Sequence, residues 1–173
     1  MIKTKFLKNL KILILDVDGV LTDGKLYYNE NGEVFKIFNV KDGLGLKLIL
    51  NYLNVAIISG NSSNIIRKRA HDLGIINCFL GVKNKLETLN NLINKYNLMK
   101  YEICYIGDDL NDLEVKDSVG LFLCPSDANE IILNQASYIL SSKGGEGVVR
   151  EFIDLYFNAI KLKNYKITYL SNI

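Results

Sequence analysis

Two aspartates one residue apart, Asp16 and Asp18, stand where the apolar run Ile12–Leu15 stops and a turn bounded by Gly19 and Gly24 begins. A short apolar run of this kind reads as a buried strand. Its carboxyl end is where open α/β sheets carry their ligand sites. A buried carboxylate without a partner is costly and two close carboxylates repel, so the pair calls for a cation. Aspartate and backbone carbonyl oxygens are hard ligands that suit Mg²⁺. A calcium loop of the EF-hand kind fails here, because its fifth and sixth positions need an oxygen ligand and a glycine and are Val20 and Leu21. Two uses of the stretch remain: a solvated acidic turn, or metal-assisted phosphoryl transfer.

Further along, Ser59-Gly60-Asn61 follows a second apolar run and Lys85 opens an amphipathic segment. Gly107-Asp108-Asp109-Leu110-Asn111-Asp112 follows a third run. Asp16 is the candidate nucleophile, a carboxylate held beside a cation. Asp18 can protonate a leaving oxygen and later deprotonate water. Asp108 would complete the Mg²⁺ ligands, with Asp109 and Asp112 orienting the set from behind. Ser59 offers a hydroxyl, the Gly60 and Asn61 amides at a helix start form a phosphate cradle, and Lys85 adds a point charge. Each has a plainer use: Ser59 as a helix cap, Lys83 and Lys85 as solvated lysines, residues 107–109 as a turn. His71, the one histidine, reads as surface. The order of acid pair, serine, lysine and acid cluster, each at a strand exit or helix start, is hard to reach by accident.

The elements that must position these groups alternate. A hairpin is expected over 25–39, with Val34, Phe35, Ile37 and Phe38 more apolar than a free surface hairpin requires. Helices are expected over 42–52, 65–73, 85–96 and 148–160, with another from about Asp127. Strands are expected over 54–58, 75–80, 103–106, 119–123 and 138–140, and residues 143–147 read as a flexible loop. Alternation of this kind predicts an α/β fold with a doubly wound parallel sheet, and it puts the three polar loops on one carboxyl edge. With 173 residues, 49% of them hydrophobic, the chain is expected to form one domain over 1–173. A net charge of +2 with no basic stripe argues against nucleic acid. Lys3, Lys5, Lys8 and Lys11 precede the first apolar run in the manner of a signal peptide, but Asp16 and Asp18 interrupt it after a few residues. No stretch approaches membrane-spanning length. Cys78, Cys104 and Cys124 read as reduced core residues of a cytoplasmic protein.

Asp16-Val17-Asp18-Gly19, Ser59, Lys85 and the 107–112 segment resemble the four signature motifs of the haloacid dehalogenase superfamily. Residues 15–24, Asn39-Val40-Lys41-Asp42-Gly43-Leu44-Gly45 and Gly145-Glu146-Gly147 resemble, more narrowly, its 3-deoxy-D-manno-octulosonate 8-phosphate phosphatases, over about 10–156. The resemblance implies a Rossmann-like fold and a Mg²⁺-dependent phosphatase working through an aspartyl-phosphate, in the synthesis of cell-surface polysaccharide precursors such as lipopolysaccharide. It implies metal binding by the side chains of Asp16 and Asp108 and the carbonyl of Asp18. It places substrate contacts on Asn39, Val40, Lys41, Asp42, Gly43, Lys47, Arg69, Lys85 and Asn111. At Asn61 the octulosonate enzymes carry Arg, a charge suited to a sugar carboxylate. Relatives acting on 2-keto-3-deoxynonulosonate 9-phosphate also depart from Arg there, and share a tail like residues 144–152, so the nine-carbon acid is the runner-up. A reading of another class is a non-catalytic oligomerisation module of a sugar-nucleotide enzyme, but such modules usually lose the nucleophile or the metal acids and here all are present.

Superfamily members often carry a cap domain, and neither gap between motifs leaves room for one: Asp16 to Ser59 holds a hairpin and a helix, Lys85 to Asp108 a helix and a strand. Excluding water still favours a cover. The hairpin flap, the glycine loop at 144–147 or the tail in 148–173 is expected to supply it. The related phosphatases are tetramers with a neighbour contributing to each site, which implies a homotetramer here.

Overall fold

The structure, a computed structural model, describes residues 2–161. In chain order the elements are α1 (Thr4–Lys8), β1 (Ile12–Leu15), β2 (Tyr27–Asn29), β3 (Gly32–Phe35), α2 (Val40–Ile49), β4 (Asn54–Ser59), α3 (Asn64–Leu73) and β5 (Asn77–Leu80). They continue with α4 (Lys85–Tyr96), β6 (Ile103–Ile106), β7 (Leu121–Cys124), α5 (Glu130–Gln135), β8 (Tyr138–Ile139) and α6 (Val148–Ala159), with 3-10 turns at Lys100–Glu102 and Leu110–Ser118. Six strands form one sheet in the order β5-β4-β1-β6-β7-β8, every pair parallel.

Period-two alternation divides the sheet's side chains between two cores. Leu13, Leu15, Val55, Ile57, Cys104 and Ile106 face the core shared with α2, α3 and α6. Ile12, Ile14, Ala56, Ile58, Ile103 and Tyr105 face the one shared with α4 and α5. Because helices cover both faces, β1 is buried at all four positions and reads as an unbroken apolar run. That run, which superficially resembles a signal peptide's apolar region, is the centre of the sheet. The lysine-rich stretch before it, for which the sequence suggests no element, holds the short α1, anchored by buried Leu7. The chain winds from β1 outward to β5 and returns across β1 to β6, so the strand order reverses beside β1. A crevice opens at such a reversal.

The helix starts follow the sequence. Asn39, Ser63, Asn84 and Asn129 cap α2, α3, α4 and α5 by accepting backbone N–H groups, and Gly74 ends α3 with φ of 80°. β2 and β3 form the expected hairpin, apart from the main sheet, with Tyr27 and Phe35 stacked at 4.3 Å. Leu26, Tyr28, Val34, Phe35 and Ile37 are exposed on it. Phe38 is the exception, packed on the chain's own core beneath the Arg69 guanidinium. The glycine loop also differs from expectation. Gly145 donates to the Val20 carbonyl, and a side chain at Gly144 would collide with the Gly19 carbonyl, so the loop is wedged under the acidic turn and is not a free cover. The expected tail falls partly on residues 162–173, outside the described residues.

Candidate active site

Register brings the motifs together. Leu15 lies level with Ile57 on one side and Ile106 on the other, so Asp16 is level with Ile58 and Gly107. Ser59 and Asp108 are each one residue further. The Asp16 N–H continues the ladder to the Ile106 carbonyl at 3.0 Å. Asp16, Asp18, Ser59, Gly60, Asn61, Asp108, Asp109 and Asn111 line one open pocket of about 290 Å³. Gly19, at φ of 87°, lies where any side chain would strike the Asp108 carboxylate.

Behind the pocket, Lys85 is the first residue of α4 and is 2% exposed. Its ammonium donates to Asp16 Oδ1 at 2.9 Å and to Asp112 Oδ1 at 2.6 Å. Asp112, fully buried, also accepts from the Tyr105 hydroxyl at 2.6 Å and, through Oδ2, from the Asp108 N–H at 3.0 Å. It thus ties the lysine, the strand before the acid cluster and the cluster's own backbone. Asp109 caps the 3-10 turn by accepting from the Leu110 N–H at 2.8 Å.

The electrostatics fit a cation. Burial, reinforced by the Asp112 charge and only partly offset by Lys85, pushes the Asp16 pKa up to about 7. Burial and the neighbouring charges of Asp16, Asp112 and Asp109 push Asp108 up to about 8. Burial alone would lower the Lys85 pKa, but Asp16 and Asp112 raise it. Asp16, Asp108 and Asp112 each offer an oxygen within 4.8 Å of the others. Both Asp112 oxygens are already engaged, whereas Asp108 Oδ1 is buried with no hydrogen-bond partner. A divalent ion therefore fits between Asp16 and Asp108, with Asp112 behind them.

Asp18 stands at the pocket rim with both oxygens held. Lys36 reaches Oδ1 at 2.5 Å, and the Asn61 amide donates to Oδ2 at 3.0 Å. Sequence reasoning missed Lys36, because a lysine on a hairpin arm reads as solvated. Its burial is legible only once the hairpin is seen to dock. The Asn61 N–H, expected in the phosphate cradle, donates instead to Ser59 Oγ at 3.1 Å. This leaves the Gly60 amide and the Ser59 hydroxyl proton for an anion.

The remaining expected contacts do not gather at this pocket. Arg69 lies with Phe38, Asn39, Asp42 and Gly43 around a separate small cavity. Asp42 is 1% exposed and accepts from the Arg150 N–H at 2.7 Å, in the first turn of α6. The Asn39 amide donates to the Gly145 carbonyl at 3.1 Å. Val40, Lys41 and Lys47 are exposed on α2.

The fold and this constellation of acids, serine and lysine meet a known class. The family model of the haloacid dehalogenase-like hydrolases matches residues 22–152, and the chain belongs to that family. The 3-deoxy-D-manno-octulosonate 8-phosphate phosphatase KdsC of Salmonella typhi is 41% identical over 149 residues, covering 86% of this chain and 79% of the relative. Among solved structures, the cobalt-bound deoxy-D-mannose-octulosonate 8-phosphate phosphatase of Haemophilus influenzae superposes with a TM-score of 0.86 at 41% identity, covering 89% of this chain and 91% of that one. The Moraxella catarrhalis 3-deoxy-D-manno-octulosonate 8-phosphate phosphatase, in complex with magnesium, phosphate and KDO, superposes with a TM-score of 0.88 at 34% identity, covering 98% and 97%. The chain is a phosphoric monoester hydrolase.

Proposed function

We propose that the chain hydrolyses 3-deoxy-D-manno-octulosonate 8-phosphate with Mg²⁺, through an aspartyl-phosphate on Asp16. The observation that carries this reading is the Asp16 carboxylate held by Lys85 at the pocket floor, beside the unpartnered Asp108 oxygen. Bound between Asp16 and Asp108, with the Asp18 carbonyl, Mg²⁺ would neutralise charge on the phosphoryl group. Asp16 attacks phosphorus, and the ester oxygen departs with a proton from Asp18. Water then attacks the phospho-aspartate and gives its proton to Asp18, releasing phosphate and restoring Asp16. Ser59, Gly60 and Lys85 hold the phosphoryl oxygens.

The relatives' names support the eight-carbon acid as substrate. Asn61 favours a second reading, the nine-carbon acid 9-phosphate, because its side chain is spent on Asp18 and brings no charge to that corner of the pocket. Asn39, Val40, Lys41, Gly43, Lys47, Arg69 and Asn111 are proposed contacts to the sugar acid. Asp42 would act through the α6 start that it caps. Arg69 and Lys47 lie off the pocket lining, and the hairpin leaves an apolar face exposed. We therefore assign the whole chain to one domain that works as a homotetramer, a neighbour completing each pocket. The expected setting is the cytoplasmic supply of lipopolysaccharide precursors; no helix among the described residues is long and apolar enough to cross a membrane.

The test is release of inorganic phosphate from the octulosonate 8-phosphate by purified protein with Mg²⁺, reversibly abolished by EDTA. Release no faster than by Asp16→Asn would end this reading. A higher kcat/KM for the nonulosonate 9-phosphate would replace the substrate and keep the chemistry.

A further inference from the structure

Lys36 follows β3 on the hairpin, yet its side chain is 1% exposed. Its ammonium lies 2.5 Å from Asp18 Oδ1 and 2.7 Å from Glu33 Oε1. Burial works against the charged lysine, but hydrogen bonds and charge from Asp18 and Glu33 outweigh it and raise its pKa. Burial works to raise the Glu33 pKa, but Lys36, with Ser63 and Asn61 nearby, holds its carboxyl below the ordinary range. The cluster joins three segments: the hairpin, the turn after β1 and the loop after β4.

A staple for the hairpin would need only Glu33 and the β4 loop. This one also grips Asp18, and it does so from the side opposite Asn61. With Lys36 on Oδ1 and Asn61 on Oδ2, the carboxylate can neither spin about its Cβ–Cγ bond nor swing out with the solvent. The side chain that must meet the leaving oxygen is fixed before substrate arrives, and fixing a reacting group in this way is worth a large factor in rate. Lys36 and Glu33 travel together on the hairpin, so the grip on Asp18 lasts only while the hairpin is docked.

We infer that Lys36, seated on Glu33, is a positioning residue that aims the Asp18 carboxyl at the leaving-group oxygen and so makes acid catalysis depend on a docked hairpin. The inference rests on the proposed role of Asp18 and adds a residue to it. In the first step Asp16 bonds to phosphorus, the phosphorus–oxygen ester bond breaks, and the alkoxide takes its proton from Asp18. Lys36 touches none of the reacting atoms.

Leaving groups separate this from a structural part. A sugar alkoxide needs the proton, whereas 4-nitrophenolate leaves readily without it. Lys36→Met keeps the length and loses the charge. Its kcat/KM for 3-deoxy-D-manno-octulosonate 8-phosphate is expected to fall at least about tenfold further than that for 4-nitrophenyl phosphate, with Lys36→Arg recovering much of the difference. Glu33→Gln, which keeps the lysine and loosens its seat, should give a smaller loss with the same discrimination, and it serves if Lys36→Met does not fold. Equal losses for both substrates, or no loss, in the variants that fold would overturn the inference. Asp18→Asn in the same assay tells which premise failed. If it discriminates and the Lys36 and Glu33 variants do not, only the positioning role is wrong; if it does not discriminate, the acid assignment falls and the inference with it.

Discussion

Two buried lysines, each between two carboxylates, sit in opposite kinds of surroundings. Lys85 belongs to the sheet edge: its partners Asp16 and Asp112 have side chains 7% and 0% exposed, and each is fixed by a strand or its exit. Lys36 belongs to the hairpin: its partners Asp18 and Glu33 are 26% and 10% exposed, and one of them is carried by the hairpin itself. The sheet edge holds its charges because the core on both faces leaves the backbone no alternative. The hairpin holds its charges only while it is docked. The proposed nucleophile is thus placed by the core, and the proposed acid by contacts that can be undone.

The sharpest break of the sheet-edge half is Asp16→Asn. It preserves size and removes the proposed nucleophile, so kcat should fall by roughly three orders of magnitude or more. Stability should hold or rise, because the buried carboxylate that is lost has a pKa pushed up to about 7 by burial first and Asp112 second. Steady-state assays paired with thermal melts check both. A variant within about tenfold of the parent would rule out the covalent route.

Lys85→Met and Lys36→Met set the two lysines side by side. Removing Lys85 strands Asp16 and Asp112 in the core, and about 3–5 kcal/mol of unfolding free energy should go with it. Removing Lys36 should cost less, since Asp18, 26% exposed, can take up water and only Glu33 is left buried and unpaired. Urea melts at neutral pH give the order, and equal costs would erase the distinction between the regions.

Proton linkage is the next effect down. Folding raises the pKa of Asp16 and Asp108 from the ordinary 3.8 to about 7 and about 8, so between those limits the folded state binds more protons than the unfolded one. Stability of the metal-free protein is fully present below the unfolded value. It should decline as pH rises above about 4 and level off beyond about 8, where both carboxyls are ionised in the folded protein too. A divalent ion held by the ionised pair would offset that loss, so melting temperatures with Mg²⁺ and with EDTA should diverge as pH increases. Parallel curves would remove the cation from between these two residues.

The same contrast governs what could be read from sequence. Asp16, Ser59, Lys85 and Asp108 were legible because each ends or begins an element whose period and caps are local, and parallel register does the rest. Asp112 was legible only as a supporting acid; that one carboxylate would receive Lys85, Tyr105 and the Asp108 N–H requires the tertiary fold. Lys36, the wedged loop at Gly144 and Gly145, and the turn of Asp42 onto α6 were not legible. Each depends on a contact between segments far apart in the chain, and lysines, glycines and capping acids look alike whether solvated or buried. The 3-10 geometry of Leu110–Ser118 gave no periodic signal either.

The smallest expected effect on the single chain, and the one that tests the hairpin half most directly, is at Tyr28, Val34 and Phe35. All three are exposed, at 66%, 49% and 46%, on a hairpin with no core of its own. An exposed apolar cluster on a small element is unusual unless something covers it, and the proposed homotetramer would use this face. Phe38 is not part of that argument, since it packs on the chain's own core beneath Arg69. Val34→Asp with Phe35→Asp should therefore leave the melting temperature of the isolated chain within a degree or two. The same pair should drive sedimentation from four chains to fewer at micromolar concentration. Phe38→Asp should do the reverse, costing stability through the core. A parent protein that sediments as one chain and is fully active would remove the shared pocket while leaving Asp16 and Asp18 in their roles.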